Sequence, residues 1–326
     1  VVSSLEQRWY QKDTQPPLWA RMLEPVFRTV ATTRRRLYRQ GHLRSYRAPV
    51  PVLVVGNISV GGSGKTPLVI WLVEMLRDAG YKPGVISRGY GGRAAQYPLK
   101  VRATTAVTEC GDEPLLIARR TGVPLVVDPK RSRAAQHLLA QYKVDVIIAD
   151  DGLQHYALER DIELVVVDGQ RRLGNGRCLP AGPLREPASR LDEVDFVINN
   201  GSRAKGEVSM RLQMGGAWQL THPHVLRSID SFDGPVHALA GIGHPERFFQ
   251  QLESQGLTIS RQPFADHHAY QSTDLPTSGE VLMTEKDAVK CLTFATDNLW
   301  AVSIQAQLPE NFRESLLALL AQKMKD

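Results

Sequence analysis

Hydrophobic and polar positions along the first two thirds of the chain alternate between short apolar runs and amphipathic stretches. Apolar segments at Val50–Val55, Val144–Ala149, Ile162–Val167 and Phe196–Asn199, with shorter ones at Lys82–Arg88 and Pro124–Asp128, read as strands. Leu68–Ala79, Asp112–Arg120 and Ser132–Tyr142 carry helical periodicity between them. Strands apolar on both faces, alternating with helices, predict a parallel sheet covered on two sides. Near Gly201 the pattern changes. Residues 207–227 alternate in short stretches around Gly215-Gly216, as a β-hairpin or ribbon does. A second, smaller α/β unit follows, with strands expected at His237–Gly241, Thr258–Arg261, Val281–Thr284 and Trp300–Ile304. Its helices are expected at Pro245–Leu252 and Pro309–Lys325. The expected organisation is an N-terminal arm over 1–48, an α/β domain over 49–206, a β-ribbon linker over 207–227 and a smaller domain over 228–326. No internal repeat or low-complexity segment interrupts it.

The arm has its own pattern. Leu18, Trp19, Met22, Leu23, Val26, Phe27 and Val30 recur at helical spacing; Pro16 and Pro17 can open that helix, and Pro25 should kink it. The chain's formal charge of +6 is concentrated nearby: no acidic residue lies between Glu24 and Glu74, while Arg28, Arg34, Arg35, Arg36, Arg39, Arg44, Arg47 and Lys65 do. An apolar stripe followed by arginines suits a helix lying on an anionic bilayer. Packing of the stripe on the domain and nucleic-acid binding by the arginines are the alternatives. No stretch of about 18 apolar residues would span a membrane, and no cleavable signal peptide is evident. Cys110, Cys178 and Cys291 lie far apart, without metal-ligand spacing, which fits a reducing compartment.

Chemistry is densest after Val50–Val55. That run enters Gly56-Asn57-Ile58-Ser59-Val60-Gly61-Gly62-Ser63-Gly64-Lys65-Thr66, and a helix follows. This is the layout of a phosphate-cradling P-loop, with Ser59 at the position where the usual pattern begins with Gly. Backbone N–H groups from Ser59 to Gly64 would wrap a triphosphate, Lys65 would reach its outer phosphates, and the Thr66 hydroxyl would ligate Mg²⁺. The helix N-terminus adds partial positive charge. Asp150 and Asp151 end an apolar strand downstream of the P-loop, where carboxylates hold Mg²⁺ directly or through water. Asp112, in Gly111-Asp112-Glu113-Pro114, reads equally as a helix cap and as a base. Arg185 and Glu186, in a loop fixed by Pro180, Pro183 and Pro187, read as a phosphate and metal pair or as a surface ion pair. His267 and His268 follow Asp266; adjacent histidines point apart, so a shared metal is disfavoured, and one of them could orient a carboxylate. Thr284-Glu285-Lys286-Asp287 approaches a guanine-reading element, but its first residue is wrong, so no guanine specificity is assigned.

Taken together these motifs are more specific than any one of them. The P-loop stretch, Ser87-Arg88-Gly89-Tyr90-Gly91-Gly92, Gly111-Asp112-Glu113-Pro114 and Asp150-Asp151-Gly152-Leu153-Gln154-His155 occur in that order. Leu179–Glu186, Ala240-Gly241-Ile242-Gly243-His244-Pro245, Asp266-His267 and Met283–Lys290 follow them. The chain resembles the tetraacyldisaccharide 4′-kinase family of the lipid A pathway. The resemblance implies a P-loop NTPase-like α/β/α domain joined by a two-stranded β linker to a smaller α/β/α domain. It also implies transfer of the γ-phosphate of ATP, with Mg²⁺, to the 4′-hydroxyl of an acylated disaccharide 1-phosphate, giving lipid IVA.

Residue roles carry over motif by motif. Lys65 and Arg185, and Arg131 with the nucleotide, would stabilise phosphate charge. Thr66, Asp150, Asp151 and Glu186 would form the metal shell. Asp112 would be the base, paired with His267 rather than His268. Arg88 and the arm's arginines are nominated by charge alone for the substrate's 1-phosphate. A peripheral monomer at the cytoplasmic face of the bacterial inner membrane, with no nucleic-acid partner, is expected.

Overall fold

The structure is a computed structural model that describes residues 4–11 and 14–325. Helices α1 (Ser4–Tyr10) and α2 (Leu18–Arg39) precede strand β1 (Val52–Gly56) and helix α3 (Lys65–Asp78). Then come β2 (Pro83–Ser87), β3 (Leu99–Val101), α4 (Val107–Cys110), α5 (Asp112–Thr121), β4 (Leu125–Val127), α6 (Arg131–Gln141), β5 (Val146–Asp150), β6 (Ile162–Asp168) and β7 (Phe196–Asn200). The last third holds β8 (Val208–Gln219), β9 (Leu226–Arg227), β10 (Val236–Ala240), α7 (Pro245–Ser254), β11 (Ile259–Pro263), β12 (Val281–Thr284), α8 (Glu285–Cys291), β13 (Leu299–Gln307) and α9 (Glu310–Lys323).

Among the described residues the strands form one continuous order, β11-β10-β12-β13-β8-β7-β6-β1-β5-β2-β4-β3, with β9 on β8. Pairing is parallel from β7 through β6, β1, β5 and β2 to β4, and again among β11, β10, β12 and β13. The two parallel regions meet at β8. Its first residues pair in parallel with β7, and the rest pairs antiparallel with β13. The strands are buried on both faces because their side chains alternate between two cores. In β1, Leu53 and Val55 pack with α3, α5 and α9, while Val52 and Val54 pack with α6 and Phe27 of the arm. The second region repeats the three layers, with Phe248, Phe249 and Leu252 of α7 on one face and Ala288 and Cys291 of α8 on the other. The fold is thus α/β/α on both sides of β8.

Two local outcomes differ from the pattern of the sequence. Gly215-Gly216 lies inside β8 rather than at a turn; the reversal comes after Gln219. The glycines are there for space. A Cβ on Gly215 would meet Ser303 Oγ at 2.5 Å, and one on Gly216 would meet the Arg227 carbonyl at 2.9 Å. Although α9 closes the chain, it packs on the first core through Phe312, Leu316 and Leu320, with Phe312 stacked on Trp71 at 5.7 Å. Helix α2 runs unbroken past Pro25 to Arg39. Its stripe is open: Leu18, Trp19, Met22, Leu23, Val26 and Val30 are each more than half exposed, and of the predicted stripe only Phe27 packs inward. Glu24 pins the helix to the body, accepting from Arg177 at 2.8 Å and from the Cys178 N–H at 3.0 Å. No described helix is long and apolar enough to cross a membrane.

Candidate active site

The C-terminal ends of β1, β5, β2 and β7 converge, as ligand crevices do in open α/β sheets. After β1 the loop turns through Gly61 (φ 95°) and Gly64 (φ 92°), backbone angles that favour glycine. Asn57 donates to the Gly61 carbonyl at 3.3 Å and Asn200, at the end of β7, donates to the Ser63 carbonyl at 2.9 Å. Holding two carbonyls away from the cradle leaves its N–H groups for a ligand. Asn200 packs so closely that a Cβ on Gly64 would lie 2.5 Å from its Nδ2. The loop Gly241-Ile242-Gly243 reaches over from the other half, and a Cβ on Gly243 would lie 2.9 Å from the Gly62 nitrogen.

Lys65 opens α3, and its Nζ lies 3.4 Å from Asp151 Oδ1, with Arg185 Nη1 at 3.5 Å from the same oxygen. Arg185 is delivered by backbone pairing: Val60 donates to the Pro183 carbonyl and Arg185 to the Ile58 carbonyl, which lashes the proline-rich loop to the P-loop. Burial works to raise the Asp151 pKa, yet Lys65, Arg185 and Arg131 hold it at about 2. Asp150 is fully buried beside it and behaves oppositely. Burial, then the nearby Glu113 carboxylate, then Asp151, push its pKa up to about 7. Ser87 donates to Asp150 Oδ2 at 3.0 Å, and Oδ1 has no hydrogen-bond partner. A buried carboxylate oxygen left bare beside a phosphate cradle fits a cation.

Asp112 begins α5, and Gly111 precedes it with φ 86°; a Cβ there would lie 2.3 Å from the Tyr90 carbonyl, so the Ser87–Gly92 loop and the α5 entry interlock through glycine. Asp112 Oδ1 accepts from the Glu113 N–H at 2.9 Å, meeting one free N–H of the first turn although Gly111 holds the cap position, and His267 Nδ1 lies 2.9 Å from Oδ2. Both features hold at once. His267 comes from the other half, 155 residues away, at φ 60°. Lys286 and Lys290 of α8 each place Nζ 4.0 Å from Asp112 Oδ2. Burial opposes ionisation of Asp112, but the hydrogen bond from His267 and the charges of Lys286, His267 and Lys290 hold its pKa below the usual carboxylate value. The His267 pKa is correspondingly raised: burial lowers it, and the bond to Asp112 more than compensates. His268 points elsewhere, with Nε2 3.0 Å from Asp274 Oδ2.

Two of the expected residues stand apart. Arg131 is buried behind β5, its guanidinium 3.1 Å from the Asp128 carbonyl and 3.3 Å from that of Asp150. Glu186 accepts from Gln154 at 2.8 Å and from Tyr156 at 2.5 Å. Gln154 in turn donates to the Asn57 carbonyl, so Glu186 adjoins the P-loop through one side chain. Among the described residues no group of three or more His, Cys, Asp or Glu converges as a metal cage. The sequence reading missed Asn200, Lys286 and Lys290 as site residues. For Asn200 the available signal was a polar pair, Asn199-Asn200, ending an apolar strand. The buried Asp287 explains its own motif, accepting from the Gly241 N–H at 3.0 Å and from Thr284 Oγ1 at 2.6 Å.

Two cavities flank this centre. One of about 200 Å³ runs from Gly62–Thr66 to Leu212, Ile242, Phe248 and Ile304. The other, about 550 Å³, opens beside Asp112 and His267 and is lined by Tyr90, Val107, Leu115 and Phe294 among others.

Comparison with known proteins gives one answer. A family model for tetraacyldisaccharide-1-P 4′-kinase matches residues 18–321. The tetraacyldisaccharide 4′-kinase of Tolumonas auensis is 52% identical over 97% of both chains. The enzyme of that name from Vibrio cholerae serotype O1 is 47% identical over 98% of this chain and 97% of its own. A crystal structure of LpxK from Aquifex aeolicus in complex with ATP superposes with a TM-score of 0.78 at 27% identity, covering 92% of this chain and 98% of that one.

Proposed function

This chain belongs to the tetraacyldisaccharide 4′-kinase family, and we propose a division of labour within its site. The enzyme is an ATP-dependent kinase that transfers the γ-phosphate to the 4′-hydroxyl of a tetraacyldisaccharide 1-phosphate, giving lipid IVA in lipid A biosynthesis. In our reading the P-loop amides from Gly61 to Gly64 hold the triphosphate, and Lys65 and Arg185 neutralise the outer oxygens. The nucleoside extends into the cavity bounded by Ile242 and Phe248. Thr66, Asp150 and Asp151 hold Mg²⁺, which when bound offsets phosphate charge. A site with few carboxylates suits an ion that completes its shell with phosphate and water. Glu186 supports this shell through Gln154, and Arg131 supports it from behind by fixing the Asp150 and Asp151 carbonyls.

Asp112, held ionised by His267 and the two lysines, accepts the proton of the acceptor hydroxyl. An ordinary aspartate is a weak base for an alcohol. In a loose phosphoryl-transfer transition state the proton moves late, and positioning carries most of the effect. The acceptor sugar enters from the larger cavity beside the dyad. We place the arm at the membrane surface, on the cytoplasmic face of the inner membrane. Transferring a buried Val, Leu or Met side chain out of water is worth about 1.5–3 kcal/mol; six half-open apolar residues on one face therefore carry several kcal/mol of surface attachment.

One observation supports this reading most: Lys65 with Asp151 and Asp112 with His267 lie on the two flanking cavities, and Lys286, which lines the nucleotide-side cavity, places its Nζ 4.0 Å from Asp112 Oδ2 and so links them. Tandem mass spectrometry of a synthetic acceptor incubated with Mg²⁺ and ATP tests it. The added phosphate is expected on the distal sugar at the 4′ oxygen; ATP hydrolysis with an unmodified acceptor would reject it.

A further inference from the structure

Away from this crevice, the last turns of α2 cover a cavity of about 470 Å³ lined by Arg35, Arg36, Arg39, Ser189, Arg190 and Glu193, with Glu186 at its inner end. Arg190 is 2% exposed; one of its amino groups bonds the Glu163 carboxylate at 2.5 Å, while its Nη1 is buried with no hydrogen-bond partner. Arg36 is exposed and makes no ion pair with another described residue. Arg35 and Arg39 both lean on Glu193, at 2.5 and 2.8 Å, and that carboxylate is 40% exposed. Four guanidiniums therefore have three carboxylate partners, Glu163, Glu186 at 3.5 Å from Arg190 Nε, and Glu193, around a space large enough for an anion, and Arg190 Nη1 is left without one.

We infer that this cavity binds the phosphate of a membrane lipid. The chemistry is that of an arginine cluster forking onto phosphate oxygens. The bilayer as source follows from position: the open apolar stripe ends at Val30 of the same helix, and Arg36 lies six residues on, about 9 Å along the axis at 1.5 Å per residue, so a helix lying in the interface by that stripe keeps Arg36 at the level of the headgroups. Glu193 holds Arg35 and Arg39 in place until a phosphate displaces it. The source rests on the membrane reading of the arm; the anion site itself does not.

Flotation of the whole protein, without ATP or acceptor, tests this apart from the kinase reading. Vesicles of phosphatidylcholine would carry either phosphatidic acid, a phosphomonoester, or phosphatidylglycerol at matched surface charge. Arg36→Ala should weaken binding to phosphatidic acid vesicles by about fivefold, the effect of one arginine at an anionic surface, and reduce the preference for the monoester. Arg28→Ala, which removes an exposed charge outside the cavity, should weaken both compositions equally. Glu193→Gln should bind phosphatidic acid more tightly, a gain that misfolding cannot mimic. A second arm measures the acceptor KM in neutral detergent. A rise for Arg36→Ala at constant kcat, with flotation unchanged, assigns the site to the acceptor's own phosphate. If Arg36→Ala matches Arg28→Ala in flotation, Glu193→Gln gains nothing and KM is unmoved, the inference is overturned.

Discussion

Replacing His267 by alanine isolates the dyad's contribution. The imidazole donates at 2.9 Å to a carboxylate that is only 5% exposed. A hydrogen bond to a charged group contributes about 1.5–3 kcal/mol, so losing it should raise the Asp112 pKa. Lys286 and Lys290, each 4.0 Å away, remain and keep the shift from growing further. Because the folded-state pKa of Asp112 is depressed and that of His267 is raised, the dyad stabilises the fold between the two, losing the contribution as pH falls through the folded Asp112 value or rises through the folded His267 value. The variant should therefore also melt lower at neutral pH. Carboxyl ¹³C NMR of Asp112 and the acid limb of kcat/KM should move up together, and kcat at pH 8 should fall about 10- to 100-fold as the carboxylate loses its fixed orientation. His267→Asn, a neutral donor, should shift the titration less far. An Asp112 titration that stays put in His267→Ala, with kcat unchanged, would refute the reasoning.

Other expectations are simpler to state. Asp112→Asn should lower kcat by about 10²–10⁴ and leave ATP affinity in calorimetry near wild type; a rise in KM at normal kcat would make Asp112 a binding or capping residue only. Lys65→Ala should abolish transfer in a radiolabel assay, and undiminished turnover would reject the P-loop assignment. Gly64→Ala forces φ 92° on a side chain and a Cβ onto Asn200. It should cost about 1–2 kcal/mol from the left-handed conformation alone, visible as a lower Tm together with lost ATP binding. Leu23→Glu with Val26→Glu alters residues 51% and 60% exposed, so thermal melting should be unchanged while vesicle flotation is lost; retained flotation would exclude the stripe as the membrane contact.

The nucleotide half of the site was legible because its signal is local. An apolar strand, a glycine turn and Lys65-Thr66 lie within one short segment, and β5 announces Asp150-Asp151 by ending there. The acceptor half was not. Asp112 in its own segment reads equally as a cap, although the cap position falls on Gly111; only the fold brings His267, Lys286 and Lys290 to it from the far end of the chain. The family resemblance supplied His267, since a histidine in a loop carries no such information. Lys286 and Lys290 lay in a stretch read for a base-recognition element, while their role is electrostatic and depends on α8 packing against α5. Glycine misled at Gly215-Gly216 for a physical reason: a turn and a close strand contact both require a missing Cβ, and the residue pattern does not tell them apart. The amphipathic α9 declared an apolar face without declaring its partner, which is the core of the first sheet.

The most direct measurement is the structure of the complex with a non-hydrolysable ATP analogue and Mg²⁺. The account predicts the β- and γ-phosphates against the Gly61–Gly64 amides and Lys65, with the terminal phosphate facing the cavity beside Asp112 and His267. Density for the nucleotide anywhere else, with the P-loop empty, would contradict it.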